Sequence, residues 1–350
     1  MKPLTQHKKQ PLGLMFFILA ILFVLFFIAD LLLGSIIIPV KQVLLALFTS
    51  PADSGETFRT IILDFRLPKA LTAVLTGAAL SLSGLQMQTV FRNPLAGPYV
   101  LGISAGASLG VALFVLAFSS VMAWGIFSST GAWSLALVAW AGSFLVMLLV
   151  LYVSARVNDI MTLLILGILF SSAVAAIVSI LQYFSNESML KAFIIWTMGS
   201  LGSVTKSQLM VLAPAIGAGI LLAFMKIKDL NAFLLGEDYA RSLGVSIKTS
   251  RIIIFLSTSL LAGTITAFCG PIGFIGIAVP HICRVIFKTA NHLVLVPAVI
   301  LTGSTVMLFS DIVSQLPGMQ TTLPVNSVTA LIGIPIIVWM IVKNRKFVSV

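Results

Sequence analysis

Long apolar runs, interrupted by glycine, proline and a few charges, fill the chain from residue 13 to residue 342. A helix needs about 20 apolar residues to cross a ~30 Å hydrocarbon core, and ten runs meet or approach that length. They lie at 13–33, 67–90, 98–123, 133–154, 160–183, 208–226, 250–268, 272–288, 293–310 and 326–342. Uninterrupted apolar runs of that length predict an all-α integral membrane protein of about ten transmembrane helices, with residues 1–350 forming one transmembrane domain.

Composition agrees with this pattern. Hydrophobic residues make up 59% of the chain and mean hydropathy is +1.14, well above a water-soluble domain of this length. Lys2, Lys8 and Lys9 precede the first run, but that run exceeds a signal-peptide core and no small-residue cleavage site follows, so it is predicted as a retained helix. Cys269 and Cys283 have neither metal-ligand nor thiol-redox spacing and read as small buried side chains.

The cations set the topology. With the N-terminus inside, Arg92, Arg156, Lys226, Lys228, Arg241, Lys248, Arg251, Arg284 and Lys288 join the two terminal clusters on the inner side, whereas Lys41, Arg59, Arg66, Lys69, Lys191 and Lys206 fall outside. This bias places both termini in the cytoplasm. It also accounts for the net charge of +11 without a nucleic-acid partner.

Chemistry-bearing residues are sparse. On this topology every Asp and Glu falls at a span end or in a loop, which argues against a cation-coupled carrier, because such carriers keep costly intramembrane carboxylates for function. His281 is read as the single histidine within a span region, and no hydrolase constellation accompanies it. No G-x-x-x-x-G-K-[ST] loop occurs, so the chain is not expected to be an enzyme, and any ATP-driven step needs a separate subunit.

One charged island breaks the apolar pattern: "LLGEDYARSLGV", 234–245, inside a connection of residues 227–249. Glu237 and Arg241 have i,i+4 spacing and Gly244 is placed to end a short helix. Such an amphipathic helix suits a groove on a soluble partner; the alternative is a solvated connector with a satisfied ion pair. Gly102, Gly106 and Gly110 predict close helix packing within one chain, and "GPIGFIG", 270–276, predicts a break between spans seven and eight on the outer side.

The stretches "RLPKALTAVLTGAALSLSGLQMQTVFRNPLAGPYVLGISAGASLG" (66–110), "LLGEDYARSLGV" (234–245), "GPIGFIGIAVPHICR" (270–284) and "DIVSQ" (311–315) together resemble the permease subunits of the FecCD family, ABC importers for iron chelates, haem and cobalamin. The resemblance extends over nearly the whole chain.

It implies a bacterial inner-membrane permease paired with a second copy or a homologous permease. Two ABC ATPases, which would hold ATP-Mg, and a periplasmic or lipid-anchored binding protein complete the assembly; this chain itself is expected to bind no cofactor and no metal. ATPase coupling would fall to Leu235, Gly236, Glu237, Asp238, Ala240, Arg241, Leu243 and Gly244, and binding-protein docking to Arg66 and Lys69. Gln315 stands where family members often carry arginine. Asn93, Pro94, Leu95, Ile160 and Met161 resemble cytoplasmic gates, and Ser172 and Ser179, on a stripe with Ala175 and Gln182, resemble pathway lining. The expected cargo is a ferric siderophore or haem; cobalamin import by the same architecture and a cation-coupled secondary transporter are the alternatives.

Overall fold

The computed structural model describes residues 12–34, 36–48, 56–117, 132–157, 159–315 and 322–343. Among them every regular element is helical. Eight helices are long and apolar enough to cross a membrane, and two shorter apolar ones, Ile103–Ala117 and Ile275–Phe287, fall on the third and eighth expected runs. Residues 118–123 of the third run, and both chain termini, lie outside the described residues.

The first helix is α1 (Leu12–Leu32), followed by the short α2 (Val40–Phe48) and α3 (Glu56–Thr60). A π-type turn, Ile61–Arg66, joins α3 to α4 (Leu67–Val90) without a break. The second helix therefore starts some eleven residues earlier than its apolar run, because Asp64 and Arg66 interrupt hydropathy without interrupting the helix. Next come α5 (Ile103–Ala112), α6 (Ala132–Arg156), α7 (Ile160–Phe184), the short α8 (Glu187–Thr197) and α9 (Lys206–Met225). Two short helices, α10 (Ile227–Phe233) and α11 (Glu237–Ser242), precede α12 (Ile247–Thr258), which runs through another π-type turn, Ser259–Gly263, into α13 (Thr264–Cys269). The last three are α14 (Ile275–Phe287), α15 (His292–Ser314) and α16 (Val325–Lys343).

Helix α4 is the axis of the bundle. Its sequence is mostly alanine, glycine, serine, threonine and leucine, and nearly every side chain from Thr76 to Val90 is buried. Small residues allow this because lipid tails offer no hydrophobic drive for helix association, so close backbone approach and van der Waals packing must supply it. A Cβ on Gly77 would overlap the Gly303 carbonyl of α15, and one on Gly84 would overlap the Gly276 carbonyl of α14. Gly106 and Gly142 face each other in the same way between α5 and α6, and Gly110 abuts the Val138 carbonyl, as expected for the glycine run of the third span.

Buried polar side chains reinforce these contacts. The Gln86 amide donates to Ser257 Oγ at 3.0 Å and accepts from Thr258 Oγ1 at 2.9 Å, while Ser257 Oγ donates to the Gly219 carbonyl at 2.7 Å, stapling α4, α12 and α9. Gln88 donates to the Ile277 carbonyl at 3.2 Å and accepts from the Arg284 guanidinium. An unsatisfied amide in this setting is costly, so such a staple specifies helix register as well as proximity.

The "GPIGFIG" break falls between α13 and α14, as expected, and is packed inside the bundle. Cys269 Sγ lies 3.8 Å from Thr76 Oγ1, nine residues into α4 from Leu67, and Gly276 packs beside Gly84 still deeper. At 1.5 Å rise per residue this places the break roughly 14 Å or more down the axis helix. Irregular backbone is tolerated at depth only where protein supplies its hydrogen bonds, and here it does. Ser200 N–H donates to the Cys269 carbonyl at 2.8 Å, Gly273 N–H to Asn326 Oδ1 at 2.9 Å, and the Tyr99 hydroxyl to the Ile272 carbonyl. Both cysteines are free and buried, as expected.

Candidate functional site

The end of the bundle carrying Lys226, Arg241, Lys248 and Arg284 is the one the charge bias predicts to be inner, and it holds the island that interrupts the apolar pattern. Residues 226–246 form a folded block rather than a single helix. Lys226 Nζ pairs with Asp229 Oδ2 at 2.7 Å, and Ser250 Oγ donates to the same oxygen at 2.6 Å, binding α10 to α12. Gly236, at φ +103°, turns the chain into α11, and Gly244, at φ +82°, ends it through its N–H to the Arg241 carbonyl.

The expected Glu237–Arg241 pair does not form. Glu237 instead receives the guanidinium of Arg251 on α12, whose side chain is buried, and Arg241 faces Asp238 at 3.8 Å with both side chains exposed. The i,i+4 geometry loses because denying the buried Arg251 a carboxylate would cost far more than denying it to Arg241, which water solvates. Ala240 is also turned inward and buried, so among the expected coupling residues it supports the block from behind rather than facing outward. Three large apolar side chains of the block, Leu235, Tyr239 and Leu243, are exposed to 63, 52 and 59%, with the exposed charges Asp238 and Arg241 beside them in the chain. Tyr239 was not among the expected coupling residues; its four-residue spacing from Leu235 and Leu243 was the signal that could have found it.

Beside this block lie the gate candidates. Helix α4 ends at Val90, Arg92 adopts φ +48°, and Asn93 closes a turn in which its Oδ1 accepts the Leu95 N–H at 2.9 Å and its carbonyl the Ala96 N–H at 3.1 Å. Pro94 occupies the middle of that turn and Leu95 is exposed. Asp159 caps α7, accepting from Met161 N–H at 3.3 Å and Thr162 N–H at 2.8 Å, and from the Thr162 hydroxyl at 2.6 Å. The Thr162 bonds, then the Met161 bond, hold its carboxyl below the usual range. Ile160 packs with Ala96, Leu101, Leu163 and Leu230 in one inner apolar cluster, while Met161 is exposed. The two gate candidates and the charged block therefore share a core.

Along α7 only Leu163, Gly167, Val174 and Val178 are buried. Ser172, Ala175 and Ser179 lie on the open side, and each serine hydroxyl donates to its own helix, to Ile168 O at 3.0 Å and Ala175 O at 2.9 Å. Gln182 is half-buried.

At the outer end, Arg66 and Lys69 are both engaged within the chain. Arg66 donates to the carbonyls of Leu31 at 2.8 Å, Leu32 at 2.9 Å and Ile36, closing the C-terminal end of α1. Lys69 Nζ lies 2.6 Å from Asp311 Oδ2, with Asp311 fully buried. Gln315 Nε2 donates to the same oxygen at 3.0 Å, and Asp30, 4% exposed, faces this carboxylate from α1. Asp30 and Asp311 do fall at helix ends, as expected, but they are buried there rather than solvated. Among the described residues no group of His, Cys, Asp and Glu is placed to hold a metal ion.

Histidines depart from expectation too. His292, read as lying outside the spans, is the first residue of α15 and fully buried, joined to Thr89 and Asn231. His281 borders an apolar cleft between α14 and α16.

This arrangement of a bundle around one small-residue helix, with a folded inner block, has counterparts. The chain is 34% identical over 295 residues to the hemin transport system permease protein HmuU of Yersinia pestis, covering 84% of this chain and 86% of that one. It is 34% identical over 292 residues to the vitamin B12 import system permease protein BtuC of Salmonella paratyphi A, covering 83% and 86%. A solved metal-chelate type ABC transporter in an inward-facing conformation superposes with a TM-score of 0.80 at 29% identity, over 95% of this chain and 99% of that one. Residues 21–343 match the FecCD transport family, and with that span of sequence and this fold the chain belongs to it.

Proposed function

We propose that this chain is the membrane permease of an ATP-driven importer, carrying an iron complex, a ferric siderophore or haem, from outside to the cytoplasm. It is not itself an enzyme; ATP hydrolysis belongs to a separate subunit. The observation that carries the reading is the row Leu235, Tyr239 and Leu243, presented to solvent on a block locked from behind by Glu237–Arg251 and Ala240. An apolar row with charged flanks on the inner side is unsuited to hydrocarbon and is a partner-sized anchor for a soluble protein.

In this reading two copies, or this chain and a homologous permease, stand side by side in a bacterial inner membrane with both termini cytoplasmic. The open faces of α7, with Ser172 and Ser179, and of α16 border the pathway between copies. Two ATPases seat on the 235–244 blocks. Their ATP-driven approach shifts the permease between outward- and inward-open states, which requires contact free energies that differ between those states. The turn Asn93–Leu95 and the start of α7 adjoin the block through Ala96 and Ile160, which pack in the same apolar cluster as Leu230 and Ala240, and in this reading respond to its movement. An external binding protein docks at the opposite end, where its acidic side chains would have to replace Asp311 on Lys69, or the α1 carbonyls on Arg66.

Cobalamin import rests on the same architecture, and a vitamin B12 permease is among the similar proteins. The deciding experiment is reconstitution with the genomically adjacent ATPase and binding protein in liposomes, offering ferric siderophores, haem and cobalamin in parallel. Accumulation of an iron complex supports the proposal; accumulation of cobalamin alone replaces its cargo.

A further inference from the structure

Three polar side chains from three separate helices meet at one end of the bundle, two of them, Thr89 and His292, buried and the third, Asn231, half-buried. Thr89 Oγ1, near the C-terminus of α4, lies 2.8 Å from His292 Nε2 on α15. On the other side of the ring, His292 Nδ1 lies 2.9 Å from Asn231 Oδ1 on α10, and the His292 backbone N–H donates to the same oxygen at 2.8 Å. Asn231 Nδ2 in turn donates to Asn291 Oδ1, the N-cap of α15, at 3.0 Å. An amide oxygen that already accepts a backbone N–H takes Nδ1 as a second donor, so the pattern assigns the Nδ1–H tautomer, and the single Thr89 hydroxyl proton is shared between Nε2 and the Leu85 carbonyl, which lies 2.9 Å from the same oxygen.

The placement of this chain of bonds is what gives it a role. Asn231 belongs to the block that presents Leu235, Tyr239 and Leu243. Thr89 belongs to the last turn of the axis helix, and its carbonyl accepts the N–H of Arg92 at 3.2 Å, which opens the turn through Asn93. Gly236 adds a second point of approach, since a Cβ there would lie 3.7 Å from Arg92 Nη1. Thr89 and His292 are 2 and 0% exposed, so water cannot substitute for the bond between them, whereas Asn231 is half-buried at the edge of the block.

We infer that Asn231, His292 and Thr89 form a positioning relay that conveys movement of the 227–246 block to the inner end of α4 and so to the Asn93–Leu95 turn. The inference rests on the importer reading. A buried satisfied histidine can also serve packing alone, and the two roles differ in one measurable quantity, the ATP hydrolysed per molecule imported. If the relay couples block to turn, cutting it lets the ATPase cycle without moving the turn, and hydrolysis and transport separate. If it only packs, both fall together with stability.

The test uses full-length permease with its ATPase and binding protein in liposomes, supplied with radiolabelled iron as haem and as a ferric hydroxamate, and in parallel with radiolabelled cobalamin. Thr89→Val removes the hydroxyl at nearly constant shape, whereas Thr89→Ser retains it; Asn231→Leu removes the acceptor, whereas Asn231→Asp retains it. The relay predicts that Thr89→Val and Asn231→Leu raise ATP hydrolysed per iron imported by about fivefold or more, the lower range of measured site-to-site couplings. Thr89→Ser and Asn231→Asp should restore a ratio near wild type. An unchanged ratio in Thr89→Val and Asn231→Leu, whether or not stability drops, overturns the relay. Failure of the wild-type complex to import iron or cobalamin with ATP overturns the importer reading and the relay with it.

Discussion

Lys69 and Asp311 meet at 2.6 Å between the outer ends of α4 and α15, the carboxylate wholly buried and the ammonium only 17% exposed. The lysine is thus a structural counter-ion as well as a docking candidate. Removing it strands a buried charge, a loss of about 3–5 kcal/mol for comparable pairs. Lys69→Met should therefore lower the apparent melting temperature in detergent sharply, and Lys69→Met with Asp311→Asn should recover most of the loss. Equal melting of single and double variants would contradict a buried pair.

The glycine contacts of α4 predict a contrast between two alanine substitutions. Gly84→Ala forces a methyl into the Gly276 carbonyl, a backbone atom that cannot rotate away, at a cost of about 1–3 kcal/mol or more. Gly217, in the helix α9, has nothing within 4 Å of a built Cβ, so Gly217→Ala should be neutral or stabilising by up to about 1 kcal/mol. Thermal melts of the two purified variants check the order; a reversed order contradicts the packing described.

The outward row predicts where partner binding is concentrated. Tyr239→Ala should weaken ATPase association by about 2 kcal/mol, roughly 30-fold, as removal of a central aromatic anchor does. Arg241→Ala, at a side chain 70% exposed and facing Asp238 only at 3.8 Å, should change it by less than about 1 kcal/mol. Titration of detergent-solubilised permease with its ATPase reads both. A larger effect at Arg241 than at Tyr239 would move the anchor from the apolar row to the charges.

Asp159 predicts a local response to acid. Hydrogen bonds from Thr162 and Met161 depress its pKa, so the cap is fully present above the ordinary carboxylate value of ~3.9 and is lost as pH falls through the lowered folded value. Amide protection at Met161 and Thr162, corrected for intrinsic exchange, should hold through mild acid and drop only below that point. Asp159→Ala should lose it at every pH, and protection in that variant equal to wild type would contradict the cap.

Much of the fold was legible because hydrocarbon imposes a length and a polarity on every crossing, and the ten runs fall on ten apolar helices. Their joints were less legible. The extension of α4 back through Asp64 and Arg66 follows from helix hydrogen bonding, to which hydropathy is blind. The depth of the 270–276 break follows from Gly84 meeting Gly276, a contact 192 residues apart in sequence. At the site, the island at 234–245 stood out through its charges, yet the charges turned out to hold the block together through Arg251, leaving Leu235, Tyr239 and Leu243 to face outward. His292 escaped notice because a histidine beside an N-cap asparagine gives no periodic signal; only the fold brings Thr89 and Asn231 to its two nitrogens.

The central claim, that a separate ATPase drives transport through this chain, is tested most directly by one comparison in liposomes. Uptake of the accumulated chelate is measured with ATP and the partner ATPase, with the same ATPase disabled in its phosphate-binding lysine, and with this polypeptide alone under an imposed proton or sodium gradient. The account predicts uptake in the first case and none in the other two. Gradient-driven uptake by the lone polypeptide would contradict it and favour a cation-coupled carrier.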